Sequence, residues 1–428
     1  MNPILQNAKW IILCKLLQSL TQLIIGMFSA RYLGPSNYGL ISYAASLTAF
    51  AIPVMQLGFR NTLVQEYVTH PTRQGQILGT SLVLNLISAL ACMVGIGCFA
   101  LAANRNEPET VAVCILYSFS LFFQALELTQ YWFHAGLQAK IPSLAALAAY
   151  GLVSIYKIFL LVTRKSVYWF AISHAIESCL VGMVLLAIYR KSGAHPLQFS
   201  WETARRMLSV SKYYILSGLM VTMFQNTDHI MLKLLVGEGE NGIYTAAVTC
   251  AGVAGFLYFA IIDSFRPVIL EKHRTCPKEF SRMMARLYSL IFYLCLLQSV
   301  AFCFLARPIV GLLYGSAYRQ AVPVLQILIW NTAFSYMGVL RNIWILAEKQ
   351  QHLLWIINLS GVVLNILLNA LAIPFWGAWG AALASVLTQL FTNFLLGFLL
   401  KPLRPNNRLL LAGFDPRLAL EAIRFLLS

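Results

Sequence analysis

About a dozen apolar runs follow one another along this chain, each long enough to cross a bilayer and separated mostly by short polar loops. A run of roughly 20 apolar residues spans the ~30 Å hydrocarbon core as a helix. No water-soluble core needs a series of them, so the chain reads as an all-α polytopic membrane protein. The spans fall near 10–30, 39–58, 76–101, 110–133, 142–163, 167–188, 213–235, 242–265, 286–306, 323–341, 353–373 and 378–400. Charged residues make up only 11% and mean hydropathy is +0.72, against about 25% charged residues in a soluble chain.

The net charge of +16 would suggest nucleic acid in a soluble protein. Here its distribution argues otherwise, and no nucleic-acid partner is expected. Lys and Arg concentrate in the even-numbered loops and both termini, most densely at Arg190–Lys212 and Arg266–Arg286. The opposite side holds Arg31, Arg105, Arg164, Lys165, Lys233, Arg307 and Arg319. Cytoplasmic loops carry the excess of Lys and Arg, so both termini are expected in the cytoplasm, with membrane lipids as the contact of the basic loops. The first apolar run is too long for a signal peptide and reads as a span. Nine cysteines show no metal or disulfide spacing, and eight lie in spans, where they read as small packing residues.

No loop has room for a folded soluble domain, so function must operate inside the helices or at the membrane surface. The chain also repeats itself. GPSNYGLISYA at 34–44 resembles GEGENGIYTAA at 237–247 at an offset of 203, and Trp132–Lys157 resembles Trp344–Asn369 at an offset near 211. Six spans are thus followed by six more of the same orientation, an arrangement found in transporters with the substrate path between the halves. The expected organisation is a six-helix bundle over 1–188, a linker over 189–212, a second bundle over 213–400 and a tail over 401–428. Asp415-Pro416 starts a basic amphipathic helix in that tail, expected to lie in the membrane interface.

Polar residues recur at helical spacing within the spans: Lys15, Gln18 and Gln22 in the first; Glu127 in the fourth; Lys157 in the fifth; His174 and Glu177 in the sixth; Gln225 and Asp228 in the seventh; Asn358, Asn365 and Asn369 in the eleventh. Such groups usually face a partner or a water-filled cavity, although Asn, Gln, Ser and Thr also bond between helices as packing. A central cavity explains the stripes together. There is no GxxxxGKS loop, HExxH, GxSxG or Cys/His cluster, so no cofactor, metal or catalytic residue is expected, and the chain reads as a secondary-type transporter rather than an enzyme.

The stretch ARYLGPSNYG at 30–39 resembles the signature after the first helix of bacterial oligosaccharide-unit flippases, the polysaccharide transporter family of the multidrug/oligosaccharidyl-lipid/polysaccharide exporter superfamily. Further matches in register are YWFHAG at 131–136, DHIMLK at 228–233, GIYTAA at 242–247, LLYGSAYRQA at 312–321 and NILLNALAIPFWGAWG at 365–380. The resemblance implies twelve transmembrane helices in two pseudo-symmetric six-helix bundles around a central cavity. It implies a flippase in the bacterial inner membrane that moves undecaprenyl-pyrophosphate-linked oligosaccharides from the cytoplasmic to the periplasmic leaflet by alternating access, for O-antigen, capsule or exopolysaccharide synthesis. Such a protein would work beside a polysaccharide polymerase and a chain-length regulator.

The residues fit that chemistry. A lipid pyrophosphate needs cations. Arg31 and Arg60 match basic positions common in the family, Lys15 and Lys157 follow from spacing, and Arg266 adds a fifth candidate. Gln18, Gln22, Gln225, Asn358, Asn365 and Asn369 are candidates for sugar hydroxyls. Glu127, His174, Glu177 and Asp228 are candidates for coupling to a proton or sodium gradient. The alternatives are a multidrug or cation exporter of the same fold, or a membrane polysaccharide polymerase or ligase. The first calls for unpaired acids in the cavity, the second for a large outside loop.

Overall fold

Backbone groups in hydrocarbon have no water to bond, so apolar runs of this length close their hydrogen bonds internally as helices. The computed structural model describes residues 3–192 and 195–427, with side chains from 14 to 425. Every regular element described is helical. Nine described helices are long and apolar enough to cross a membrane, or ten if one pair bent by 43° is a single span. The chain is a multi-pass membrane protein. Large apolar side chains stand exposed along its helices, among them Val94, Ile155, Val162, Phe304 and Phe375, the surface expected where the solvent is lipid.

The chain divides into two compact units, Met1–Asn226 and Thr227–Ser428. The first holds α1 (Pro3–Met55), α2 (Leu63–Thr69), α3 (Gln74–Ala103), α4 (Pro108–Gln124), α5 (Gln130–Ala135), α6 (Lys140–Val162), α7 (Val167–Lys191) and most of α8 (Trp201–Val236). Inside it, α1, α4, α6 and α7 pack on one another. A tight apolar end is built from Phe59, Leu63, Tyr67, Ile77, Phe133 and Tyr189. Residues 195–200 cross the start of α3 without regular structure. Gln198 donates to the Gly75 carbonyl at 3.3 Å and the Ser200 N–H to Thr80 Oγ1 at 3.0 Å.

The second unit holds α9 (Glu238–Gly252), α10 (Gly255–Thr275), α11 (Pro277–Leu313), α12 (Ala321–Ala347), α13 (Leu353–Leu390), α14 (Leu396–Leu399), α15 (Arg404–Ala412) and α16 (Pro416–Leu427). Prolines open α4, α11 and α16, where a helix has no use for the missing N–H. Here α12 packs between α11 and α13, and α9 packs on α12 and α13. Helix α16 docks on α11 through buried Ala419 and Ala422, with Arg286 donating to Glu421 at 2.6 Å.

Where the sequence suggests loops between the first two and the last two spans, the structure has continuous helix broken at one residue. Helix α1 is two helical arms, 53 residues together, that meet at Gly34 with φ 72°, ψ 173°. Helix α13 breaks at Gly377 with φ 53°, ψ −130°. Glycine can change chain direction in one residue, so neither turn needs a loop.

The internal repeat is visible in the backbone of each unit. Gly237, which follows α8, has φ 105°, ψ 172°, the same sparsely populated region as Gly34 203 residues earlier. The turn after α5 and the turn after α12 also match. Leu137 has φ 55° and Lys349 φ 56°. Around Leu137, Gly136 N–H donates to Trp132, Leu137 to His134 and Gln138 to Phe133. Around Lys349, Glu348 donates to Trp344, Lys349 to Leu346 and Gln350 to Ile345. The offset there is 212, that of Trp132 to Trp344 in the matched segments.

Candidate functional site

Two polar clusters lie inside the apolar helices, one in each unit. The second unit's is the more completely built. Asp228, near the end of α8, is 6% exposed. Its Oδ1 accepts from Asn365 Nδ2 at 3.0 Å and Asn369 Nδ2 at 2.6 Å. Its Oδ2 accepts from the Tyr244 hydroxyl at 2.5 Å and from Ser385. Four donors and no acceptor suit a carboxylate anion. Asn369 spends its second N–H on Asn365 Oδ1 at 3.1 Å.

Three helices deliver these groups. Asn365 and Asn369 share a face of α13 at a spacing of four. Ser385 lies on the same helix beyond the Gly377 break, so the break returns the helix to the same carboxylate. That break is pinned by Glu240 of α9, whose Oε2 accepts the Ala378 N–H at 2.8 Å. Tyr244 is one turn further along α9. Beside the centre, His229 Nδ1 lies 2.9 Å from Asn241 Oδ1 and 3.3 Å from Thr245 Oγ1, and its ring meets Tyr244 edge-on.

One atom of the centre is left over. Asn369 is fully buried and its Oδ1 has no hydrogen-bond partner. A buried amide oxygen without a partner costs about 1–3 kcal/mol. The carboxylate, the Tyr244 and Ser385 hydroxyls and the Asn365 and Asn369 amide carbonyls of this cluster are all oxygen groups. Such a set suits a hard monovalent cation, and the carboxylate alone can take a proton.

The first unit's cluster centres on Glu177 of α7. His174 Nδ1 is 3.7 Å from its carboxylate, and the His174 ring stacks on Tyr117 of α4 at 5.0 Å. Lys157 and Tyr150 of α6 and Glu127, in the turn after α4, lie within its electrostatic reach. Lys157 and Glu177 do not form an ion pair within 4 Å.

The other sequence candidates stand apart from these clusters. Lys15, Gln22, Arg31, Arg60, Gln225 and Arg266 are exposed, and Gln18 and Asn358 are half-buried. Arg266 sits 3.4 Å from Asp263, one turn away on its own helix. Asn365 and Asn369, read from the sequence as sugar ligands, instead turn inward to Asp228. Tyr244 and Ser385 bond to Asp228 in this cluster and were not among the candidates read from the sequence. Tyr244 lies in the repeated GIYTAA segment, a signal that was available. Ser385 is a single hydroxyl in an apolar run and carries none.

Two units of long apolar helices, each with a polar cluster among them, define the class: a multi-pass transporter-like membrane protein. Solved structures share this fold. The chain aligns with the lipid II flippase MurJ in an inward closed conformation at a TM-score of 0.75 and 15% identity, covering 97% of this chain and 91% of that one. It aligns with an inward-facing multidrug resistance MATE transporter at 0.65 and 14%, covering 93% and 96%.

Sequence places it further. Residues 4–273 match the polysaccharide biosynthesis protein family, and the chain belongs to that family. Among curated relatives, it is 20% identical to the capsular polysaccharide biosynthesis protein CapF of Staphylococcus aureus, over 90% of this chain and 96% of that one. It is 21% identical to the probable low-salt glycan biosynthesis flippase Agl15 of Haloferax volcanii, over 84% and 76%.

Proposed function

We propose that this protein is an ion-coupled flippase for undecaprenyl-pyrophosphate-linked oligosaccharide units. It carries them from the cytoplasmic to the periplasmic leaflet of the bacterial inner membrane by alternating access. The observation that carries the reading is the Asp228 centre: a buried α8 carboxylate that accepts from α9 and from both arms of α13, beside an Asn369 Oδ1 with no partner. Ionisable groups at membrane depth are costly and mark ion or substrate paths. Binding a proton or sodium ion neutralises the buried charge, so the ion stabilises one arrangement of these helices over another. A ligand shifts a conformational equilibrium only through such a difference.

The family and the flippase relatives support the cargo. The proposed topology is twelve crossings in two six-helix bundles. Helices α1 and α13 are each long enough for two crossings, broken at Gly34 and Gly377, and the bent pair α9–α10 supplies one. Both termini and the basic loops face the cytoplasm. The exposed cations Lys15, Arg31, Arg60 and Arg266 compensate the pyrophosphate. Exposed or half-buried Gln18, Gln22, Gln225 and Asn358 contact sugar hydroxyls.

The test is translocation in proteoliposomes. A lipid-pyrophosphate oligosaccharide is placed in the inner leaflet, and its appearance in the outer leaflet is read by a membrane-impermeant glycosidase under an imposed proton or sodium gradient. Gradient-dependent exposure is expected for the wild type. Equal exposure in protein-free vesicles, or none under either gradient, sinks the reading.

A further inference from the structure

The two repeats carry the same tryptophan before the same turn, and only one of them gives it a partner. Trp132 and Trp344 occupy matched positions before the turns at Leu137 and Lys349. The helix that follows in space is matched at the offset of 203: His70 corresponds to His273, Thr72 to Thr275, and Gln74, the first residue of α3, to Pro277, the first residue of α11. In the first unit the Trp132 indole N–H donates to Gln74 Oε1 at 2.8 Å, and its ring meets Tyr189 edge-on at 5.0 Å. In the second unit a proline stands in place of that acceptor. The Trp344 indole N–H has no acceptor and no ring partner among the described residues, although the residue is only 4% exposed.

Beside Trp344 and Pro277 the second unit has a cavity of about 290 Å³, whose lining also includes His273, Phe280, Glu348 and Gln350. A second polar group is unpaired there. Gln350 Oε1 is buried without a hydrogen-bond partner, whereas Gln138, its counterpart in the first turn, is exposed. The two ionisable side chains of the lining answer each other, His273 Nε2 lying 3.2 Å from Glu348 Oε1. The cavity therefore lacks one acceptor and one donor and presents no spare charge. A phosphate or an ammonium finds no counter-charge in it. Phe280 and Trp344 are each 4% exposed, so no ring face is open for a flat base to stack on. A hydroxyl both donates and accepts, and the volume is at the low end for small-ligand sites.

We infer that this cavity is a binding site for one neutral sugar residue. A hydroxyl oxygen of the sugar accepts the Trp344 indole N–H, a hydroxyl donates to Gln350 Oε1, and the proline carbons of the lining pack against the C–H groups of the ring. The first unit has no such site, because Gln74 and Tyr189 already occupy its tryptophan. None of the partners of Asp228 lines the cavity, so sugar recognition here is separate from the ion centre. The inference rests on the flippase reading for the origin of the sugar. His273 and Pro277 lie within the basic segment Arg266–Arg286, cytoplasmic in the proposed topology, so the ligand is a sugar of the oligosaccharide presented on that side before it crosses.

The full chain in nanodiscs is titrated with the methyl glycosides of glucose, galactose, mannose and N-acetylglucosamine, and binding is read by saturation-transfer NMR. At least one glycoside is expected to bind the wild type. Trp344→Phe, which keeps a ring and removes the N–H, and Gln350→Leu are each expected to weaken that binding roughly fivefold, the worth of one neutral hydrogen bond. Trp132→Phe in the first unit leaves it unchanged. Pro277→Gln gives the second unit the first unit's acceptor. It is expected to abolish binding with the melting temperature kept or raised, which separates loss of the site from loss of the fold. Failure of all four glycosides to bind the wild type, or binding that survives both Trp344→Phe and Pro277→Gln, overturns the inference. The flippase reading is decided separately by the proteoliposome assay: glycoside binding that depends on Trp344, in a protein that translocates nothing, keeps the sugar site and removes the flippase.

Discussion

The two units solve one backbone problem with the same glycines and one electrostatic problem in opposite ways. Gly34 and Gly237 bend the chain through the same unusual conformation, and the turns at Leu137 and Lys349 repeat bond for bond. Inside that shared frame, the second unit buries an acid and surrounds it with neutral donors. The first sets a half-buried acid, Glu177, 3.7 Å from His174. Backbone features are kept because the turn has few alternatives, whereas a buried charge can be balanced by dipoles, by a fixed opposite charge or by a mobile ion. Of these only the last allows exchange, and only the second unit has room for it in its ligand set.

The sharpest way to break this contrast is to give the second unit the first unit's solution. Asn369→Lys places an ammonium beside Asp228. Gradient-driven translocation is expected to fall by more than about tenfold, as it does for Asp228→Asn, because a permanent partner displaces the exchangeable one. The Lys variant is expected to be the better folded of the two, since its charge is paired with Asp228 while Asp228→Asn turns an amide N–H toward existing donors. Transport measured beside detergent melting curves decides it. An Asn369→Lys protein that still responds to the gradient would remove Asp228 from coupling.

The shared part of the frame is tested by glycine substitution. At Gly34 and Gly237 a Cβ would meet nothing within 4 Å, so the cost of alanine is conformational alone. That region of φ/ψ is open in practice only to glycine and costs about 1–3 kcal/mol for other residues. Gly34→Ala and Gly237→Ala are each expected to destabilise by that amount, and by similar amounts, in reversible unfolding from mixed micelles. A large difference between them would mean that the two bends are not equivalent.

Much of this was legible in the sequence. The apolar runs dictated helices, and the repeated glycines marked equivalent points of the two repeats. Asp228, Asn365 and Asn369 showed themselves as polar residues at helical spacing. What spacing cannot supply is the neighbour. A stripe shows that Asn365 and Asn369 share a face, not that the face meets α8. Their amides suit a sugar hydroxyl and a carboxylate equally well, so the sequence reading sent them to the sugar. Ser385 was invisible because one hydroxyl in a run of alanine and leucine is ordinary packing. The one-residue break in α1 was hidden for the opposite reason: Gly-Pro-Ser-Asn spells a loop, yet one glycine suffices for the turn.

A smaller effect is expected at the matched turns. Leu137 and Lys349 hold left-handed backbone that disfavours side chains by roughly 1–2 kcal/mol, partly offset by the freedom glycine loses on folding. Leu137→Gly and Lys349→Gly should each raise stability by up to about 1 kcal/mol in the same unfolding measurement. Destabilisation at one turn only would show that its side chain, not its backbone, is what the repeat retains there.

The smallest expected effect concerns a feature that only the second unit has. Its tail helix α16 lies on α11, with the Glu421 carboxylate accepting from Arg286 at 2.6 and 2.8 Å and from Arg282 at 3.0 Å. The hydrogen bonds from Arg286 come first among the causes that hold Glu421 below the ordinary glutamate value of 4.5, with Arg282 adding to them. A depressed carboxylate contributes stability that is complete above its unfolded-state value and is lost as pH falls through the lower, folded one. Docking of α16 should therefore be constant from neutral pH down to about 4.5 and weaken below it. The group is solvent-accessible, so the loss should be slight and further reduced by salt. Hydrogen exchange of α16 amides at pH 7, 5 and 3.5, corrected for intrinsic rates, gives the profile, and Glu421→Gln should flatten it. A profile unchanged by Glu421→Gln would leave Ala419, Ala422 and the Phe425 ring to hold the helix by packing alone.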